Sequence, residues 1–216
     1  MTPLHVTATL DGGGLTVTDG GIALDSLVMW AEAQRRQLPP PGFGPLVDIE
    51  IPIAREPGGR FFLASWAYPA WEGHERRFVN RKFPLHEAQI MAGPKLRRIH
   101  VGAGAQKSYR IPTQVSFPAG GVIEWWCVGD AEPLRDLLAC VTHLGRRRAV
   151  GRGRVRAWAV AACEPWGDGF PVVRDGVPTR PLPIDWPGVE SAERAARVLA
   201  PPYWAHERAE LCAVPA

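Results

Sequence analysis

No apolar run in this 216-residue chain approaches the length needed to cross a bilayer, and the opening residues, MTPLHVTATLDGG, lack a basic segment followed by an apolar one. These absences exclude a membrane-spanning class and predict a cytoplasmic protein with no membrane partner. Cysteine is scarce, and Cys127, Cys140, Cys163 and Cys212 include no CxxC pair, so neither a disulfide framework nor a zinc ribbon is expected. The HExxH helix, the nucleophile elbow and the GK[ST] ending of a phosphate-binding loop are all missing. His5, His74, His86, His100, His143 and His206 are scattered. The sequence therefore predicts no metal site, no cofactor and no catalytic set. Internal repeats are absent as well.

What the chain does have is a core. At 46% hydrophobic residues it is too apolar to be disordered and long enough for one domain over residues 1–216, with room for an insertion. The net charge of +3 is modest, but the basic residues are mostly arginine and gather in a few segments. Local charge therefore says more about partners than the total does.

LHVTATL reads as a strand running into Gly12 to Gly14. In LDSLVMWAEAQRR, Leu24, Leu27, Val28 and Ala31 fall at helical spacing and Arg35 and Arg36 suit the C-terminal dipole, until Pro39 stops the helix. VDIEIPIAR and RFFLASWAY are strand candidates joined through EPGG. From 71 to 113 the periodicity fails, predicting a long basic insertion. GGVIEWWCVG predicts a strand in which adjacent Trp125 and Trp126 face opposite ways, with Trp125 and Trp126 serving the sheet rather than a ligand. Asp130 is the expected N-cap of a helix with Leu134, Leu137, Leu138, Val141 and Leu144 as its buried stripe and Gly145 as its left-handed C-cap. VRAWAVAACE predicts a further strand. An extension over 165–216 is expected to contain a helix around Ser191 to Leu199, stopped by Pro201 and Pro202. The order predicts an α+β fold, a ferredoxin-like sheet with helices on one face. The topology is RRM-like, though the RNP aromatic signature is missing.

Three basic stations stand out. The first is HLGRRRAVGRGRVRAW, where Arg146, Arg147, Arg148, Arg152, Arg154 and Arg156 crowd around Gly145, Gly151 and Gly153. Glycines let the main chain bring its amides close to a phosphate, and arginines offer bidentate contacts to its oxygens. The alternative is an ordinary solvated loop; the recurrence of glycine with arginine favours an anion clamp. The second is GAGAQKSYRIP, with Lys107, Ser108, Tyr109 and Arg110, where cations beside a ring suit single-stranded nucleic acid and a structural turn is the rival reading. The third joins ERRFVNRKF to GPKLRRIH and brings Arg76, Arg77, Arg81, Lys82, Lys95, Arg97 and Arg98 to the same insertion. For metal-independent RNA cleavage, His100 with Tyr109 is the best pair on offer. A lone histidine in a basic arm is more commonly a surface or phosphate-contacting residue, so a binding protein is the preferred reading.

The chain also resembles a known family. LDSLVMWA, the KSYRIP loop, the LGRRRAVGRGRVRAW segment and VVRDGVPTRPLPID are similar to the RAMP proteins of CRISPR systems, whose hallmark is a glycine-rich loop after the last ferredoxin-like helix. Within that superfamily the resemblance is to the Cas-five family subunit of type IV (Csf) effector complexes. It implies a noncatalytic subunit that grips the 5′ handle of the guide crRNA, caps the backbone of the ribonucleoprotein, contacts neighbouring RAMP subunits and reaches target DNA through the complex. By position, Gly145 to Gly153 would be the glycine-rich loop, and the insertion bearing Lys107 to Arg110 the thumb-like element. A guide-RNA processing endonuclease and a stand-alone RNA-binding module are the competing expectations.

Overall fold

The computed structural model describes residues 1–12, 14–17, 21–39, 49–81, 109–146, 148–190 and 192–215. Strand β1 (Thr2–Leu10) alternates as its sequence requires, with Leu4, Val6, Ala8 and Leu10 buried and His5, Thr7 and Thr9 on the other face. Short β2 (Ile22–Ala23) leads into helix α1 (Leu24–Arg35) and later pairs with β3 (Trp66–Ala67). A two-stranded ribbon follows, β4 (Trp71–Arg81) against β5 (Tyr109–Pro118). Then come β6 (Val122–Gly129), helix α2 (Ala131–Ala139) and β7 (Val155–Ala162). β1 lies between β6 and β7 in an antiparallel sheet. The apolar faces of α1 and α2 join the inward side chains of that sheet in one core, so both helices cover the same face.

Two tryptophans lock this core through their single donors. Trp125, fully buried, donates from Nε1 to the Ile22 carbonyl at 2.7 Å, and Trp158 donates to Val141 at 2.9 Å. Trp126 points the other way and stacks on His5, with centroids 5.1 Å apart, as strand alternation predicts.

Several expectations are corrected. Residues 49–65 form no regular strands; Arg55 bridges Phe62 around the EPGG turn, and Ile53 and Ala64 make isolated bridges to Gly129 and Cys127. The remaining residues of VDIEIPIAR lie outside the described range. Helix α2 ends at Ala139 with Cys140 as its C-cap, so Gly145 is not a helix cap. Residues beyond Cys140 pair with the start of β7 instead: Val155 donates to Thr142 and Leu144 to Gly153. The Asp130 side chain makes no capping bond; its carboxylate takes the Met1 ammonium at 3.0 Å. The segment 71–113, expected to lack periodicity, contains the alternating strands β4 and the first half of β5.

The C-terminal region holds the hairpin of β8 (Val173–Arg174) and β9 (Val177–Pro178), then a sheet of β10 (Leu182–Pro183), β12 (Glu210–Val214) and β11 (Glu193–Arg197), with β12 central. The helix expected at 191–199 is thus a strand. Alanine and arginine favour a helix by propensity, but the segment has no wide apolar stripe, and all five residues of β11 pair with β12.

This region is tied to the main core by Arg180, which is completely buried. Its guanidinium donates to Asp25 Oδ2 at 3.2 Å, to the carbonyls of Phe62 at 2.5 Å and Ala64 at 3.1 Å, to the Leu199 carbonyl, and to the Tyr203 hydroxyl at 3.0 Å. Tyr203 in turn donates to Asp25 Oδ2 at 2.7 Å. Helix α1, the 61–64 segment and the C-terminal region therefore meet at one charge.

A second ionic group lies along α1. Burial raises the Glu32 carboxyl pKa, but hydrogen bonds from Arg36 and then Arg35 outweigh it and leave the pKa below the ordinary carboxylate value. With the folded pKa depressed, the unfolded chain binds more protons in the window between the two values. The stabilisation is present above the unfolded pKa and is lost as pH falls through the folded one. Glu32→Gln should therefore be less stable than the parent at neutral pH, with the difference in denaturant midpoint shrinking as acid titrates the parent; a difference independent of pH would refute this assignment.

Candidate nucleic-acid interface

The glycine and arginine loop is hydrogen-bonded to the fold at its two ends, while Arg148, Val150 and Gly151 stand exposed between them. The Arg146 amide donates to the Thr16 carbonyl at 2.7 Å, Gly153 to Gly14 at 2.9 Å, and Asp11 to Arg154 at 2.9 Å. Gly145 and Gly153 carry φ of +71° and +64°, and a Cβ at either would meet backbone: Thr16 O at 2.5 Å or Leu144 O at 2.1 Å. These glycines serve close chain approach. Gly151, with φ +76°, has nothing within 4 Å of its missing Cβ and occupies the open tip.

The loop forms one wall of a cleft of about 530 Å³. Arg146 and Arg148 enter it from the loop, Arg197 from β11, and Trp30 and Ser26 from α1. The Arg148 guanidinium lies over the Trp30 ring, 5.2 Å from its centroid. That ring fixes a long side chain while leaving its N–H groups available to oxygen acceptors. Val17, Gly21 and Ile22 border both this cleft and a second hollow of about 460 Å³ at the base of the ribbon. The second hollow is lined by Tyr68, Trp71, His74 and Gln114, and His74 Nδ1 lies 2.9 Å from Ser116 Oγ and 3.1 Å from Gln114 Nε2.

The ribbon is anchored by reciprocal hydrogen bonds between Leu15 and Ser116, of 2.9 and 2.8 Å. Residues 14–16 therefore hold the glycine loop on one side and the ribbon on the other. Along the ribbon, Arg77, Val79 and Ile111 are half-buried, and Thr113 and Val115 are buried on the same face. The opposite face carries exposed His74, Arg76, Phe78, Arg110 and Gln114.

The predicted stations are redistributed by this geometry. Arg146 and Arg148 share the cleft. Arg152 departs from them toward the ribbon, where it adds to the hydrogen bond from Arg77 in holding the Glu75 carboxyl below its usual range. Arg154 lies 3.7 Å from Asp11. Tyr109 and Arg110, read as one station, fall on opposite faces of β5, as neighbours in a strand must. Arg81 ends β4 opposite Tyr109 in register. Arg147, Lys82, Lys95, Arg97, Arg98, His100, Lys107 and Ser108 lie outside the described residues.

Arg197, Trp30 and Phe78 were not anticipated. Arg197 was hidden by the helical reading of its segment, and Trp30 by its place in an apolar-looking helix. Phe78 was legible in principle: in ERRFVNR, alternation places it on one face with Arg76.

The chain is thus an α+β protein with an arginine-lined cleft beside a two-stranded ribbon. Among known protein families, residues 68–215 match the CRISPR type IV associated protein Csf3. The chain belongs to the Csf3 family and is a type IV CRISPR-associated subunit. The search of curated proteins finds no match. Among the described residues, no helix is long and apolar enough to cross a membrane.

Proposed function

We propose that this protein is the noncatalytic subunit of a type IV CRISPR ribonucleoprotein that holds the 5′ handle of the guide crRNA in the cleft and packs against neighbouring backbone subunits. Target DNA meets it through the assembled complex. The observation that carries this reading is the convergence of Arg146, Arg148 and Arg197, from two distant parts of the chain, on one aromatic-walled cleft. Phosphates entering it would gain bidentate contacts, while a base could lie against the apolar surface of the α1 side. A ferredoxin-like sheet is part of the proposal: β1 lies between β6 and β7, both helices cover one face, and the Ala64–Cys127 bridge lies beyond β6, where a fourth strand would be.

The test is RNA affinity over a salt series. Arg146→Ala with Arg148→Ala should weaken binding of single-stranded repeat RNA without altering circular dichroism, and each contact removed should reduce the slope of log affinity against log salt by about 0.7. An unchanged slope would sink the proposal. The RNA should also emerge uncut after incubation in EDTA; cleavage abolished by His74→Ala or His143→Ala would make the protein an endonuclease.

A further inference from the structure

We infer that the exposed face of the ribbon is a second binding site, a stacking platform for one unpaired nucleobase of the bound RNA, built from Phe78, Arg76 and Arg110. Phe78 stands 44% exposed on a polar face. The Arg110 guanidinium lies 4.1 Å from its ring centroid and that of Arg76 5.6 Å. Alternation and register explain the grouping: Arg76 precedes Phe78 by two residues on β4, and Arg110 opposes Asn80, two residues beyond.

The fold itself does not require an aromatic ring here. The ribbon buries its apolar side chains on the other face, through Val115, Thr113 and the half-buried Val79 and Ile111. A phenylalanine left in water forgoes its burial energy, and the two arginines beside it add self-repulsion. Both become favourable when a flat, π-rich, anion-bearing group arrives. A base offers a face to the ring and the guanidinium planes, and its flanking phosphates accept from the same arginines. The platform also lies on a continuous route. Gln114 and His74 share its face and line the basal hollow, which meets the arginine cleft at Val17, Gly21 and Ile22. A strand whose phosphates sit in the cleft would reach Phe78 without leaving the surface.

The inference rests on the RNA-binding reading, and the experiment separates the two. A short single-stranded RNA carrying the fluorescent base 2-aminopurine at one position at a time is titrated with the parent protein, with Phe78→Ala, Phe78→Trp and the Arg146→Ala, Arg148→Ala double variant. Stacking should quench the probe at one position in the parent. Phe78→Ala should abolish that quenching and weaken binding by roughly ten- to a hundredfold with little change in salt slope. Phe78→Trp should retain it, and the double arginine variant should retain it at saturating protein. Binding and quenching unaffected by Phe78→Ala would overturn the platform while leaving the cleft intact. If the double arginine variant bound normally and Phe78→Ala did not, the cleft would fall and the platform stand. No RNA binding by the parent would remove both.

Discussion

Arg180→Ala should lower the folding free energy by about 3–5 kcal/mol, the range for removing one partner of a buried ion pair. The change strands the Asp25 carboxylate, 0% exposed, and withdraws the donor to three backbone carbonyls, those of Phe62, Ala64 and Leu199. It also empties space beside Phe61, whose ring centroid lies 5.0 Å from the guanidinium. Burial alone would depress the Arg180 pKa, but Tyr203 and Asp25 outweigh it, so the side chain stays charged. Arg180→Lys should not rescue the loss, because an ammonium has three donors and no planar fork to span these acceptors. Chemical denaturation reads the effect directly. Arg194→Ala, on exposed β11, serves as the reference surface change and should stay within about 0.5 kcal/mol of the parent. An Arg180→Ala midpoint equal to that of Arg194→Ala would refute the lock.

The second large effect is expected at Gly153. Alanine there meets the Leu144 carbonyl oxygen at 2.1 Å, a contact with backbone that no rotamer relieves, and must hold φ +64°. The left-handed conformation costs about 1–2 kcal/mol and overpacking typically about 1–3 kcal/mol more. Relief requires breaking the hydrogen bonds that join Leu144 to Gly153 and Gly153 to Gly14, so the loop should lift away from residues 14–16. RNA affinity should fall with stability. Gly151→Ala, with open space around its missing Cβ, should show only the conformational cost. Equal stability of the two variants would mean that the loop is not seated as described.

The sheet was legible where one residue pattern served one physical demand. In β1 the apolar residues alternate because one face is core, and in α2 Leu134, Leu137 and Leu138 recur at helical spacing for the same reason. The failures come where tertiary pairing overrides local preference. ERAAR has the propensities of a helix and becomes β11 because β12 supplies its hydrogen bonds. Val141 and Leu144 continue the helical spacing of α2 and are buried, yet they lie beyond its end, where the chain turns to meet β7. The ribbon lacked a clean alternation because Arg77 and Thr113 stand on its more buried face and Phe78 on its exposed one. The candidate site was half visible for a related reason: a run of arginines reports local charge, but not which side chains from elsewhere complete the wall. Arg197 and Trp30 join Arg148 through folding alone. Arg180 appeared within TRPLPID as one more basic residue, and nothing in that string announces complete burial.

The position of Arg180 in the chain also sets an order of events. It lies 155 residues beyond Asp25 and 118 beyond Phe62. At a synthesis rate of about 5–20 residues per second, α1 leaves the ribosome on the order of ten seconds before its buried carboxylate can find its partner. Until then, closing the core over Asp25 would strand a charge. The native setting of Asp25 at the start of α1 is therefore complete only with the C-terminal region, which supplies both Arg180 and Tyr203. For a subunit that assembles with others, the cleft wall waits on the same region, because Arg197 and Tyr203 line it.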